Sequence, residues 1–489
     1  MKAINSENMA IWNFYILALS AFILLLFAEK KAVFNIFLTL GTAISVINLI
    51  RLIRFTSLVR FGNLLATGLL IGYVGGGFVS TLGYFYINGT YFKPVNNYLG
   101  SYNQAHISTT LAFVLFTCAF LFFVSIAEKP IFSKPGITPP LIGQRVYRII
   151  ILGFSLVFAA LLTDQMGYMG IVVNEGNGQI TALGSLAHLI SPIYLPIIVL
   201  VFFQEKVVWK RIILILLFLF FISVTVILGR RVLFVAILLI LIAFGIGSNK
   251  NKYLLLTKKI NIFLGVTTLS LFAFFGSKFF YAMRLFHVSV GEKVSLLEQL
   301  GGAISLLLSS TSNLSQEYFE NIINRPFIIS YLATLLASLD HHLPLFGYEL
   351  ANSFLVAIPS LLFPRKFVNL PSAPEVFVHP YFGLPTYDGA NTILTAGLDD
   401  FGLVGVILYP LLFIGIFYIF LNISKRILPL PIYYMVSFAL IYKTLYIEEA
   451  LAGLLTVSLR NIIILTILCS LLWCIPSTRI GSHKLFKQK

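Results

Sequence analysis

Two adjacent arginines, Arg230 and Arg231, stand between two long uncharged runs, Ile212 to Leu228 and Val232 to Ile246. A guanidinium stays charged at physiological pH and grips phosphate oxygens through two parallel N–H donors. At a membrane surface such a pair suits a lipid-linked pyrophosphate. It also suits a plain charged hairpin that snorkels to headgroups. Further along, Arg284, Arg325, Arg365 and Lys366 offer more positive charge, and Arg460 stands near the start of the last apolar run. The same stretch carries His287, His341, His342, His379 and Asp388. Histidine is the usual proton acceptor near neutral pH, so His341, His342, His379 and Asp388 are the candidate catalytic groups. Asp340-His341-His342 either sets a carboxylate beside an imidazole or forms a solvated turn before Pro344. No HxxxH or HExxH spacing occurs, so no metal site is expected.

Carboxylates raise a second question. Asp399 and Asp400 fall inside an otherwise apolar run, where buried acids are costly and are usually paired or functional. The alternative is a bent helix start whose wet end extends into the run. Glu448 and Glu449 precede the last run and are placed to pair with Arg460. Gly72, Gly75, Gly76 and Gly77 suggest close helix packing, since no GK[ST] follows them to make a phosphate loop.

The elements that must hold these residues are dictated by composition. Of 489 residues 58% are hydrophobic and 11% charged, far from the roughly 25% charged of soluble domains. The continuous apolar runs match the ~30 Å hydrocarbon thickness. Only helices or closed barrels satisfy backbone groups there. Unbroken runs, not alternating ones, select an all-α transmembrane bundle. About twelve spans are expected, near 9–27, 32–50, 62–85, 107–127, 149–164, 186–204, 212–228, 232–248, 261–282, 393–421, 431–446 and 451–475. The expected organisation is a membrane bundle over 1–282, a large loop over 283–392 and a second bundle with a tail over 393–489. Within the loop, Val294 to Leu308, Pro326 to Leu339 and Leu350 to Leu362 read as apolar or amphipathic helices at the outer interface.

Charge sets the expected orientation. The net charge is +16, but basic residues sit in short clusters between spans, so headgroups rather than nucleic acid are the expected partner. The clusters at Arg51–Arg60, Lys129–Arg148, Lys206–Arg211, Lys250–Lys259 and Lys425–Arg426 alternate with poorer loops. That asymmetry predicts an inner-membrane protein with both termini cytoplasmic and the 283–392 loop outside. Lys30, Lys31, Arg230, Arg231 and Arg460 run against it. The three cysteines lie in apolar runs, so no disulfide framework is implied.

Several of these features resemble one family. The tight Gly-Arg-Arg turn, the large late loop with Ile358-Pro359 and Pro364-Arg365-Lys366, and Asn391-Thr-Ile-Leu-Thr-Ala-Gly-Leu-Asp-Asp-Phe-Gly402 entering a long span look like Wzy-type oligosaccharide repeat-unit polymerases. The resemblance implies metal-independent, inverting glycosyl transfer at the outer face of the inner membrane, with no cofactor. Donor and acceptor are oligosaccharides on undecaprenyl pyrophosphate, and a chain-length regulator and a flippase are the implied partners. The pyrophosphate is assigned to Arg230, Arg231, Arg284, Arg325, Arg365, Lys366 and Arg460. Related ligases carry a His-Asn pair before the late span. Here Ala390 precedes Asn391, which weakens that alternative; a lipid-linked oligosaccharide flippase is the other.

Overall fold

The computed structural model describes residues 6–27, 31–88, 104–132, 144–163, 165–166, 182–225, 276, 278–287, 289–290, 296–309, 328–358, 362–363, 370–371, 374–384 and 391–474. The Arg230–Arg231 turn, the run at 232–248, most of that at 261–282, and Arg325, Arg365, Lys366 and Asp388 lie outside them. All regular structure among the described residues is helical. Five helices are long and apolar enough to cross a membrane: Ala32–Ile53, Phe61–Leu82, His106–Ala127, Gln144–Leu162 and Ile393–Ile427.

The first half comprises α1 (Ser6–Leu26), α2 (Lys31–Arg54), α3 (Phe61–Leu69), α4 (Gly76–Asn88), α5 (Gln104–Ala127), α6 (Gln144–Leu162), α7 (Ala182–Gln204) and α8 (Val208–Thr225). A π-helical turn, Leu70–Gly75, joins α3 to α4. The second half adds α9 (Leu296–Ser309), α10 (Ile328–Ser338), α11 (Tyr348–Ala357), α12 (Pro374–Tyr381), α13 (Ile393–Ile427), α14 (Leu430–Leu445), α15 (Leu451–Leu455) and α16 (Ile462–Cys474). Helix α1 packs along α5, and α6, α7 and α8 pack in sequence order. Helix α14 lies against both α3 and α7.

The three expected loop helices are present as α9, α10 and α11. Helix α10 does more than rest at an interface. It buries Ile328, Ile329, Tyr331, Leu332 and Leu335 in the same core as the long helices and packs on α5 and α13. Helix α9 and the helical stretch 278–287 share a small cluster of their own around Ala282, Met283 and Ala303.

One end of the bundle is tied by reciprocal capping. Arg60 donates to the carbonyls of Ser125 and Ile126 at the end of α5, at 2.6 and 2.9 Å. Glu128 accepts from the Gly62 amide, at 3.1 and 3.2 Å, at the start of α3. Each charge thus faces the helix end whose dipole it complements. Burial pushes the Glu128 carboxyl above the usual carboxylate range, against the pull of the Gly62 and Phe61 amides. The Ile131 amide donates to the Val59 carbonyl, and Tyr433 donates to Ile131. Three basic clusters of the sequence, around Arg60, Lys129 and Lys425–Arg426, therefore border one end.

The stretch expected as one span at 393–421 is instead broken. Phe401 (φ −134°, ψ 19°) and Gly402 (φ 60°, ψ −145°) leave helical geometry. In an unbroken helix, residues eight apart lie about 12 Å apart. Here a Cβ on Gly397 would collide with the Gly405 carbonyl, and one on Gly405 with that of Gly397. The backbones touch, so the chain folds back: 393–400 and 403–427 form a helical hairpin. A φ of 60° with ψ near −145° is a conformation essentially reserved for glycine, and the two facing glycines permit the close approach.

Candidate functional site

The foot of this hairpin gathers buried polar groups. Thr392 caps α13, its hydroxyl accepting from the Leu394 and Thr395 amides while Thr395 closes the capping box. The Tyr73 hydroxyl, on the π-helical turn, lies 2.7 Å from the Thr392 hydroxyl. Tyr73 stands twelve positions beyond Phe61, about 18 Å along the rod at helical rise, so this contact is well inside the bundle. Non-helical backbone at such depth is tolerated only where protein or a wet cavity surrounds it.

Beside Thr392, Asn391 meets His379 and Tyr331. His379 Nε2 is 2.5 Å from the Tyr331 hydroxyl oxygen, which is 3.2 Å from Asn391 Oδ1; Nε2 to Oδ1 is 3.4 Å. All three residues are buried, His379 fully. Tyrosine has one proton to give. Donated to Asn391 Oδ1, it leaves the phenol oxygen to accept from His379 Nε2–H, and the neutral ring's basic atom is then Nδ1. That assignment follows from the hydrogen-bond network. The sequence builds each part simply. An apolar stripe pulls α10 and Tyr331 inward, and a buried Tyr hydroxyl needs a partner. Pro374 opens the short helix α12, and its end folds back so that the Leu384 amide donates to the His379 carbonyl at 2.8 Å.

Below Thr392 a second polar feature breaks the apolar interior. Lys443 near the end of α14 is buried and paired with Glu449 at 2.9 Å. The pair bridges the non-helical stretch 446–450, and Ile447 from that stretch seats against Gly68 and Gly72. Lys443 lines a small cavity with Ile393, Phe413, Phe417, Tyr446 and Leu65. Lys443→Met alone strands the partly buried Glu449 carboxylate and is expected to destabilise by somewhat less than the ~3–5 kcal/mol of a fully buried pair. Combining it with Glu449→Met should recover most of that loss, as thermal melting of the purified protein will show.

The other predicted residues distribute as follows. Asp340, His341 and His342 form an exposed turn after α10, and no hydrogen bond joins Asp340 to either imidazole among the described residues. This is the solvated-turn alternative, not a carboxylate–histidine pair. His342 packs tilted against Tyr381 and edge-on to Phe382, with ring centroids 5.7 and 5.9 Å away. Arg284 is exposed on the 278–287 helix. Arg460 is half-buried in the π-helical turn Thr456–Asn461 and donates to its neighbour Asn461 at 3.0 Å. Glu449 pairs with Lys443, not with Arg460 as its position suggested. Asp399 and Asp400 sit at the hairpin's tip. Asp400 accepts from the Glu349 and Leu350 amides, at 2.9 and 2.8 Å, and from the Tyr409 hydroxyl. Gly72 and Gly77 do serve close packing, against Ile447 and against Ile329 and Leu38.

The sequence alone singles out His379 as a candidate base and names Asn391 only within the family-like motif; it does not single out Tyr331, Tyr73 or Lys443. Lys443 carried a legible signal, an ammonium in an apolar run; the tyrosines, among many, carried none. Compared with family models, with curated proteins and with solved structures, the chain matches none.

Proposed function

We propose that this chain is a membrane glycosyltransferase that joins oligosaccharide repeat units carried on a polyprenyl pyrophosphate. The observation that carries the reading is the buried His379–Tyr331–Asn391 cluster at the foot of a helical hairpin. Inverting transfer needs one base and one anion-stabilising group. The acceptor hydroxyl oxygen bonds to the donor's anomeric carbon as the bond from that carbon to pyrophosphate oxygen breaks. The hydroxyl proton passes to His379 Nδ1, and the lipid pyrophosphate leaves with the bonding electrons. Tyr331 and Asn391 hold the imidazole's tautomer as positioning residues. In this reading, arginines of the sequence, Arg230 and Arg231 foremost, take up the charge that builds on the leaving group.

One observation favours a second reading. The His-Asn pair typical of related ligases is absent from consecutive positions, yet His379 and Asn391 meet in space. Deleting the chain from its host separates the two. Loss of a polymerase leaves single repeat units on the final acceptor; loss of a ligase piles long chains onto the lipid carrier. Single units are expected, and long lipid-linked chains, resolved by gel and mass spectrometry, overturn the polymerase reading. Loss of a flippase instead strands unpolymerised units on the cytoplasmic face.

A further inference from the structure

The N-terminal turn of α6, the turn between α7 and α8, and the end of α16 meet at one edge of the bundle. There, cations lie on aromatic faces. Lys210 Nζ sits 5.2 Å from the ring centre of Tyr147 and 5.6 Å from that of Trp209. The Arg145 guanidinium lies 5.2 Å over Trp473, and that of Arg211 lies 6.0 Å from Phe202. Trp209 is 60% exposed. Two of the chain's three tryptophans are therefore at this edge, the pattern of a membrane–water boundary.

The charge here is one-sided. Arg145, Lys210 and Arg211 gather here, and among the described residues the carboxylate recorded beside them is Glu205. That carboxylate is already engaged by the Lys206 and Val207 amides, at 2.9 and 3.0 Å, and by the Tyr147 hydroxyl. The Tyr147 contact, then the Val207 and Lys206 amides and the charge of Lys210, hold the Glu205 carboxyl below the usual carboxylate range. Among the described residues no carboxylate forms an ion pair with Arg145, Lys210 or Arg211. Arg211 spends its Nε on the Glu205 carbonyl, at 2.6 Å, which orients the rest of its fork outward from that turn. Held on rings and on backbone, these cations are fixed in place before any anion arrives.

We propose that this edge is a binding site for an anionic phospholipid, whose phosphate neutralises the Arg145–Lys210–Arg211 group while its acyl chains run along the exposed apolar flanks of α6 and α8. Ile151, Leu152, Ile212, Ile213 and Leu216 supply those flanks and are all exposed. A lipid phosphate satisfies both halves of the surface, charge and apolar track, whereas free phosphate satisfies only the first. The site does not depend on the glycosyl-transfer reading.

The test uses the purified full chain in nanodiscs of phosphatidylcholine alone or with phosphatidylglycerol in equal parts. Lipid retained after gentle release is read by native mass spectrometry, and melting is read in parallel. Retained phosphatidylglycerol and a higher Tm in the mixed discs are expected. Each basic residue near a lipid surface contributes about five-fold in binding, so Arg145→Gln/Lys210→Gln/Arg211→Gln should lower retention at least about ten-fold. The triple variant should melt like the parent in phosphatidylcholine alone. If it misfolds there, Lys210→Arg and the salt dependence of the parent's lipid preference replace it: the charge-conserving variant should keep the lipid, and added salt should release it. Inorganic phosphate should leave the Tm unchanged. Equal retention of the two lipids by the parent, retention untouched by salt, or a Tm rise with free phosphate overturns the proposal.

Discussion

Replacing His379 by alanine or glutamine is expected to abolish polymer while leaving the protein folded and in the membrane. A general base contributes about 10²- to 10⁴-fold, so a cellular assay should detect only unpolymerised units. Tyr331→Phe tests the positioning role separately. It removes the hydroxyl that His379 Nε2 and Asn391 Oδ1 share. Under the proposed positioning role, a loss of about 1–3 kcal/mol of transition-state stabilisation corresponds to a fall of about 5- to 150-fold, expected in kcat with little change in KM. A well-expressed His379→Ala variant that still makes full-length polymer removes the base from the mechanism.

The second large effect is structural and lies at the other end of the same hairpin. Asp400 accepts two backbone amides of α11 and the Tyr409 hydroxyl, so it staples the tip to the segment before and within α11. The Leu345 amide adds a bond of 2.8 Å to the Asp399 carbonyl. Asp400→Ala leaves three donors unsatisfied, a loss of several kcal/mol at about 1–3 kcal/mol each. Gly402→Ala forces a side chain into a glycine-only conformation and is expected to cost about 1–3 kcal/mol. Gly405→Leu should be worse, since any Cβ there collides with the Gly397 backbone. Lower Tm and lower membrane yield in all three variants, with Gly405→Leu lowest, are the expected results. A neutral Gly405→Leu would mean that the two arms do not touch.

These two ends of one element show what the sequence discloses and what it withholds. The long rods were legible because apolar runs of membrane length have few other solutions: the run read at 107–127 is α5, and that at 62–85 is the α3–α4 rod. The π-helical turn inside that rod was not, because one extra residue per turn leaves the apolar pattern intact. The hairpin was hidden for a similar reason. Gly397, Gly402 and Gly405 look like an ordinary small-residue stripe, and the reversal depends on the backbone angles of Phe401 and Gly402. Asp399 and Asp400 hinted at it, since a carboxylate pair within a run suits a wet bend better than a lipid-facing span. The candidate site divides the same way. His379 stood out by residue type, but its partners Tyr331 and Asn391 come from positions 48 residues before and 12 residues after it, and only packing unites them.

The most direct measurement of the central claim uses the purified chain in proteoliposomes, supplied with a synthetic repeat unit on polyprenyl pyrophosphate and no other protein. The account predicts a ladder of lipid-linked oligomers, released polyprenyl pyrophosphate in step with each added unit, inversion at the new anomeric centre, and no ladder from His379→Ala. A parent protein that is folded and reconstituted yet leaves the repeat unit unextended, or that extends it equally well without His379, contradicts the account.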